Sequence, residues 1–198
     1  MDMTGTNNTN KAQISAKKAI VLYSPALLLM TAFILVHALA VEPPVHDIFA
    51  LVRLSILIAF AHAAAAGDIL SKRVPNKLVL GMLLVWIVIV TVNLYIDIDQ
   101  ALGYLISAGY GLLAGGGLFL LVYLVSRKGL GGGDVKFMAI AGLYLTGRYT
   151  LTTMLIGSVF AAIISLILLA LKRITRKDSI ALIPSIYLGI LVTLFFSR

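Results

Sequence analysis

Apolar residues run along this chain in long unbroken stretches, at about 20–41, 48–67, 78–96, 101–126, 135–147, 150–171 and 180–197. Neither the alternation of a half-buried strand nor the narrow stripe of a surface helix is present in them. About 20 mostly apolar residues in a helix cross a bilayer, and a helix satisfies its own backbone polar groups there. The pattern predicts an all-α, polytopic membrane bundle of seven transmembrane helices, or six if the short run at 135–147 does not cross. Residues 1–18 are polar, with Thr4, Asn7, Asn8, Thr9 and Asn10, and read as a short unstructured tail. Residues 19–47 hold a first span and its outer loop; the apolar run is too long for a cleaved signal peptide and further spans follow it. Residues 48–198 form the rest of the membrane domain.

Composition supports this reading. Of 198 residues, 61% are hydrophobic and 12% charged, against about 25% charged in ordinary globular chains. A formal charge of +8 could point to nucleic acid, but no sizeable soluble segment remains to bind it, so the expected surroundings are lipid and no nucleic acid. The charge follows the loops instead. Lys11, Lys17 and Lys18 precede the first run, the loop with Glu42 and Asp47 has no basic residue, and Lys72, Arg73 and Lys77 follow the second run. Asp97 and Asp99 again stand without basic neighbours; Arg127 and Lys128 come next, then Arg148 alone, then Lys172, Arg173, Arg176 and Lys177. Lys and Arg favour the cytoplasmic side in short loops, which places the N-terminus there in a cytoplasmic (inner) membrane.

Two acids then fall at cytoplasmic span ends. Asp68 closes the run Ala63-Ala64-Ala65-Ala66-Gly67, and Asp134 follows Gly131-Gly132-Gly133. An ionisable residue at membrane depth or at its edge points to function. Two neighbouring carboxylates cannot both ionise easily, so one carries a proton and the pair can act as acid and base together, enough to hydrolyse a peptide bond without Ser, Cys or metal. The chain has no cysteine, which excludes disulfides, thiolate metal sites and a Cys nucleophile. Gly131 and Gly133 leave room for a substrate strand beside Asp134. Gly103, Ser107, Gly111 and Gly115 recur every four residues, and with Ala63 to Gly67 they predict slim helix faces whose close packing brings the two acids together.

The flanks carry a family resemblance. Asp68-Ile69-Leu70-Ser71-Lys72-Arg73-Val74-Pro75-Asn76 is similar to the first aspartate motif of type IV prepilin peptidases, an Asp followed by a hydrophobic-Pro-Asn step. Gly131-Gly132-Gly133-Asp134-Val135-Lys136 resembles their Gly-x-Gly-Asp motif with its following Lys, and Ile183-Pro184 with Leu188-Gly189 resembles elements of their last span. The resemblance runs from about residue 48 to the C-terminus and leaves the first span as an addition. It implies an aspartyl endopeptidase with Asp68 and Asp134 as catalytic pair, Gly131, Gly133, Lys136, Pro75 and Asn76 in support, and no cofactor or metal. It implies a prepilin or pseudopilin substrate, cut between a short basic leader and an apolar helix. Bifunctional members carry paired Cys-x-x-Cys motifs and methylate the new N-terminus; without cysteine, methylation is not expected here. The compact form resembles the small peptidases of tight-adherence (Flp) pilus systems, or archaeal preflagellin peptidases.

Other residues read more simply. His62, six residues before Asp68, reads as a packed helix histidine, and His37 and His46 form no metal cluster with nearby acids. Asp97 and Asp99 read as a solvated outer loop, and Tyr23, Tyr95 and Tyr149 as interfacial anchors. A presenilin-like enzyme would place Tyr before the first Asp and Pro-Ala-Leu later, where this chain has Gly67 and Ala181-Leu182-Ile183-Pro184. The alternative from another class is a non-enzymatic transporter or pilus-assembly subunit using intramembrane carboxylates.

Overall fold

The computed structural model describes residues 32, 48–126, 130–172, 174 and 181–196. Among the described residues five helices are assigned: α1 (Ile48–Ser71), α2 (Asn76–Ile96), α3 (Ile98–Val125), α4 (Gly132–Ala170) and α5 (Ile183–Phe196). Apart from residue 32, the first expected span and its outer loop, with Tyr23, His37 and His46, lie outside the described residues. The protein is a helical membrane bundle, but six or seven separate spans are not seen. Four helices among the described residues, α1 to α4, are long and apolar enough to cross a bilayer, α5 has 14 residues, and the runs expected at 135–147 and 150–171 are two helical arms joined within α4 at Thr146, without an intervening loop.

That element is bent back on itself. Thr146 has φ 67° and ψ 172° inside α4, a conformation L side chains rarely adopt. A Cβ placed on Gly115 of α3 would lie 2.5 Å from the Met138 carbonyl oxygen and 3.2 Å from Thr150 Cγ2. Those two residues would be about 18 Å apart along a straight helix, so α4 reverses at Thr146 into two arms that both lie along α3. The reversal falls at the short polar break Thr146-Gly147-Arg148 between the two runs, and the non-helical conformation is confined to Thr146, which is why the two runs join without a loop.

The remaining ends follow local chemistry. Asp97 alone connects α2 to α3, and its Oδ1 accepts the Gln100 amide at 3.0 Å, satisfying one of the free donors at a helix start. Pro75 precedes α2 in an extended conformation, and its carbonyl accepts the Leu78 and Val79 amides at 3.0 and 3.3 Å.

The core gathers Leu57, Met82, Phe137, Tyr144, Ile186 and Ile190, each no more than 1% exposed. Within it the Tyr144 hydroxyl donates to the Met82 carbonyl at 2.7 Å, which offsets the cost of burying that polar group, and at its edge the half-buried Tyr104 donates to the Leu143 carbonyl at 2.6 Å while accepting from Trp86 Nε1 at 2.6 Å. Arg53, a cation within α1, holds its guanidinium 4.1 Å from the Tyr104 ring centroid. Leu84, Val88, Ile106, Leu113, Leu155 and Leu166 are exposed, and such extensive apolar surface suits lipid rather than water.

The small-residue stripe on α3 differs from expectation. Gly111 packs backbone to backbone against Gly142, and Gly115 against Met138, both on the first arm of α4. Gly103 and Ser107 are exposed, and a Cβ on Gly103 would meet nothing within 4 Å. The stripe therefore docks α3 on α4 rather than on α1, whose most extensive contact is with α5. A four-residue repeat defines a face; it does not say which helix that face meets.

Candidate active site

Three helix ends meet where Asp68 and Asp134 stand. At the end of α1 the Lys72 amide donates to the Asp68 carbonyl at 2.8 Å, with Lys72 in a left-handed conformation at φ 51°. The Ser71 hydroxyl caps the Gly67 carbonyl at 2.8 Å. Helix α1 thus stops one turn past Asp68, while the Asp68 side chain turns inward and is 4% exposed. Its Oδ2 accepts the main-chain amide of Ile183, the first residue of α5, at 3.1 Å.

Asp134 stands in the first turn of α4. The Gly131 amide donates to its Oδ2 at 3.2 Å and the Asp134 amide returns a bond to the Gly131 carbonyl at 3.1 Å, a reciprocal cap that fixes the carboxylate on its own helix. A Cβ on Gly131 would press on Asp134 Oδ2 at 3.1 Å, whereas one on Gly132 would meet nothing within 4 Å. Gly133 lies against the loop after α1: its Cβ would be 3.3 Å from Val74 Cβ.

That loop ties the acidic ends together. Val74 is buried at 7% exposure and fills the space beside Gly133. Pro75 lies on the other side, its Cδ 3.7 Å from where a Gly67 Cβ would sit. Asn76 begins α2, and its Oδ1 accepts from Lys136 Nζ at 3.3 Å. Through these contacts Asp68 and Asp134 come within electrostatic reach of each other. Two carboxylates that interact electrostatically titrate as a coupled pair, in which ionisation of one opposes ionisation of the other.

The other titratable groups occupy different places. His62 packs edge-on against Tyr187, ring centroids 5.6 Å apart at 70°, and its buried Nδ1 has no hydrogen-bond partner among the described residues. Asp97 caps α3, and both Asp97 and Asp99 are exposed. No group of three or more His, Cys, Asp or Glu that could hold a metal occurs among the described residues. Reading the sequence missed the Ile183 amide and Val74, although Ile183-Pro184 stood out as a motif. A backbone donor leaves no signature of its own, and a buried Val in a short loop resembles any other.

Residues 55–166 match the family model described as the type IV leader peptidase family. The chain belongs to that family. The matched segment holds both acids and most of their supports, and it makes the protein a member of a peptidase family with a multi-pass membrane architecture. A prepilin leader peptidase/N-methyltransferase from Legionella pneumophila is 30% identical over 150 residues, covering 75% of this chain and 50% of the relative. The chain thus spans half the length of that relative. No solved structure matches it.

Proposed function

We propose that this leader-peptidase family member is a membrane-embedded aspartyl endopeptidase that removes the short basic leader of prepilin-like or pseudopilin substrates at the cytoplasmic face. Asp68 and Asp134 form its catalytic pair. The observation that carries this reading is the convergence of the two carboxylates, 66 positions apart in sequence, at one end of the bundle and within electrostatic reach. In the reaction the ionised carboxylate takes a proton from water as the water oxygen attacks the scissile carbonyl carbon. The protonated carboxyl gives its proton to the carbonyl oxygen. Collapse of the tetrahedral intermediate breaks the C–N bond, a proton passes to the leaving nitrogen, and the pair returns to its starting state.

The basic residues Lys72, Arg73, Lys77 and Lys136 stand near the acidic end and support a cytoplasmic placement for it. With that end cytoplasmic, each arm of α4 counts as one crossing, and the described residues make six. A pilin helix lying in lipid could then present its leader to the acids from the cytoplasmic side.

The test is leader removal, read as a gel shift, when the chain is co-expressed with a prepilin, comparing wild type with Asp68→Ala and Asp134→Ala at matched membrane levels. Cleavage by wild type and by neither variant supports the proposal. Cleavage that survives either substitution removes that aspartate from the catalytic pair and overturns it.

A further inference from the structure

The first turn of α5 is short of acceptors in an unusual way. A helix begins with amides that have no partner in the helix itself. Here the Ser185 and Ile186 amides both bond to the Leu182 carbonyl, at 3.0 and 3.1 Å, and Pro184 has no amide hydrogen. That leaves the Ile183 amide as the donor within the turn that needs an outside acceptor. Asp68 supplies it, at 3.1 Å and across 115 positions of sequence.

The height of α5 against Asp68 is fixed by close packing further along. A Cβ on Gly189 would lie 2.7 Å from the Thr153 carbonyl oxygen and 2.8 Å from the Gly157 nitrogen, and one on Gly157 would lie 3.1 Å from Ile186 Cα. Backbones in direct contact cannot slide by a fraction of an ångström without collision. The Thr153 and Thr193 hydroxyls, 3.1 Å apart, add a buried polar pin to the same interface.

From these observations we infer that the N-terminus of α5 is the positioning element for Asp68: the Ile183 amide holds Oδ2 and orients the carboxylate toward Asp134 and the attacking water. The inference rests on the two-aspartate reading above and gives α5 a role in that same site. Hydrogen bonds to a charged group contribute more than neutral ones and are directional. Loss of this one reduces the fraction of carboxylates aimed for attack. It therefore acts on turnover, while the surfaces that receive the substrate stay as they are.

The test removes the donor without touching the side chain, by replacing Ile183 with its α-hydroxy acid so that the amide becomes an ester. The comparison is the same exchange at Ile186, whose amide bonds within the helix. The ester at position 183 is expected to lower kcat about 10- to 100-fold, leave KM within a factor of about 3 and displace the pH–rate profile. The ester at position 186 is expected to lower thermal stability in detergent without displacing that profile. Ile183→Pro, which also lacks the donor, provides a second route if the ester variant is not recovered folded. Wild-type turnover in the donor-free variant, or equal losses from both esters with an unmoved pH profile, overturns the inference. Continued cleavage by Asp68→Ala overturns the two-aspartate reading instead, so the two failures are told apart.

Discussion

Lys136 Nζ donates to Asn76 Oδ1 at 3.3 Å, joining the first turn of α4 to the first residue of α2 across 60 positions of sequence. Both residues are exposed, so the bond adds little to global stability, under about 1 kcal/mol. Its effect is local, because α4 carries Asp134 two residues earlier and Asn76 follows the loop that carries Val74. Asn76→Ala and Lys136→Met are each expected to lower cleavage by less than about tenfold, and the double variant to be no worse than the poorer single one. Initial rates of leader removal for the four proteins of the cycle check this; additive losses would show that the residues act separately.

The three glycines before Asp134 are expected to behave unequally. An alanine at 131 would crowd the Asp134 carboxylate from 3.1 Å, and one at 133 would press on Val74 from 3.3 Å, whereas one at 132 meets nothing within 4 Å. None of the glycines in the described residues has positive φ, so Gly132→Ala is compatible with its backbone and should be neutral or stabilising by about 0.4–1 kcal/mol. Gly131→Ala is expected to cost roughly 10-fold or more in kcat, about 1.4 kcal/mol, with little change in melting temperature. Kinetics and thermal unfolding of the two variants in detergent test the contrast, and equal effects at 131 and 132 would refute it.

The acids were legible in the sequence because a carboxylate at the edge of an apolar run has few bland explanations, and Asp68 and Asp134 do converge. Pro75, Asn76 and Lys136 were legible as motif members, and their geometry became visible only when the loop after α1 was seen to pack on Gly133 through Val74. The reversal of α4 was half legible. The break between 135–147 and 150–171 was there to read, but Thr146 is a residue type that gives no warning of positive φ. Ile183 shows the limit most clearly, since its contribution is a main-chain amide that any residue except proline would offer, and only the fold brings it to Asp68.

The glycines of α3 separate a face from a contact. Gly111 and Gly142 touch through their backbones, so an added Cβ on either would collide with main-chain atoms of the other helix rather than with a movable side chain. Gly111→Ala and Gly142→Ala are each expected to destabilise the bundle by about 3 kcal/mol or more, in the range of severe overpacking. Gly103→Ala, with open space around it, should stabilise α3 by about 0.5–1 kcal/mol through helix propensity. Thermal unfolding in one detergent orders the three, and tolerance of alanine at 111 would contradict the packing described here.

Thr146 holds a conformation, φ 67° and ψ 172°, that glycine adopts freely and a β-branched residue adopts at a cost of about 1–3 kcal/mol. Its carbonyl also accepts the Thr150 hydroxyl at 2.5 Å, a bond that needs only the main chain of residue 146 and so survives any side chain there. Thr146→Gly therefore removes strain while keeping the reversal. Glycine's greater freedom in the unfolded chain offsets part of the gain, leaving an expected stabilisation of about 1 kcal/mol. Thr146→Val keeps the branched Cβ and should give none of it. If the strain serves only the fold, cleavage by Thr146→Gly stays at the wild-type rate as its melting temperature rises. A lower melting temperature in the glycine variant would mean that the Thr146 side chain contributes more to the reversal than its backbone costs.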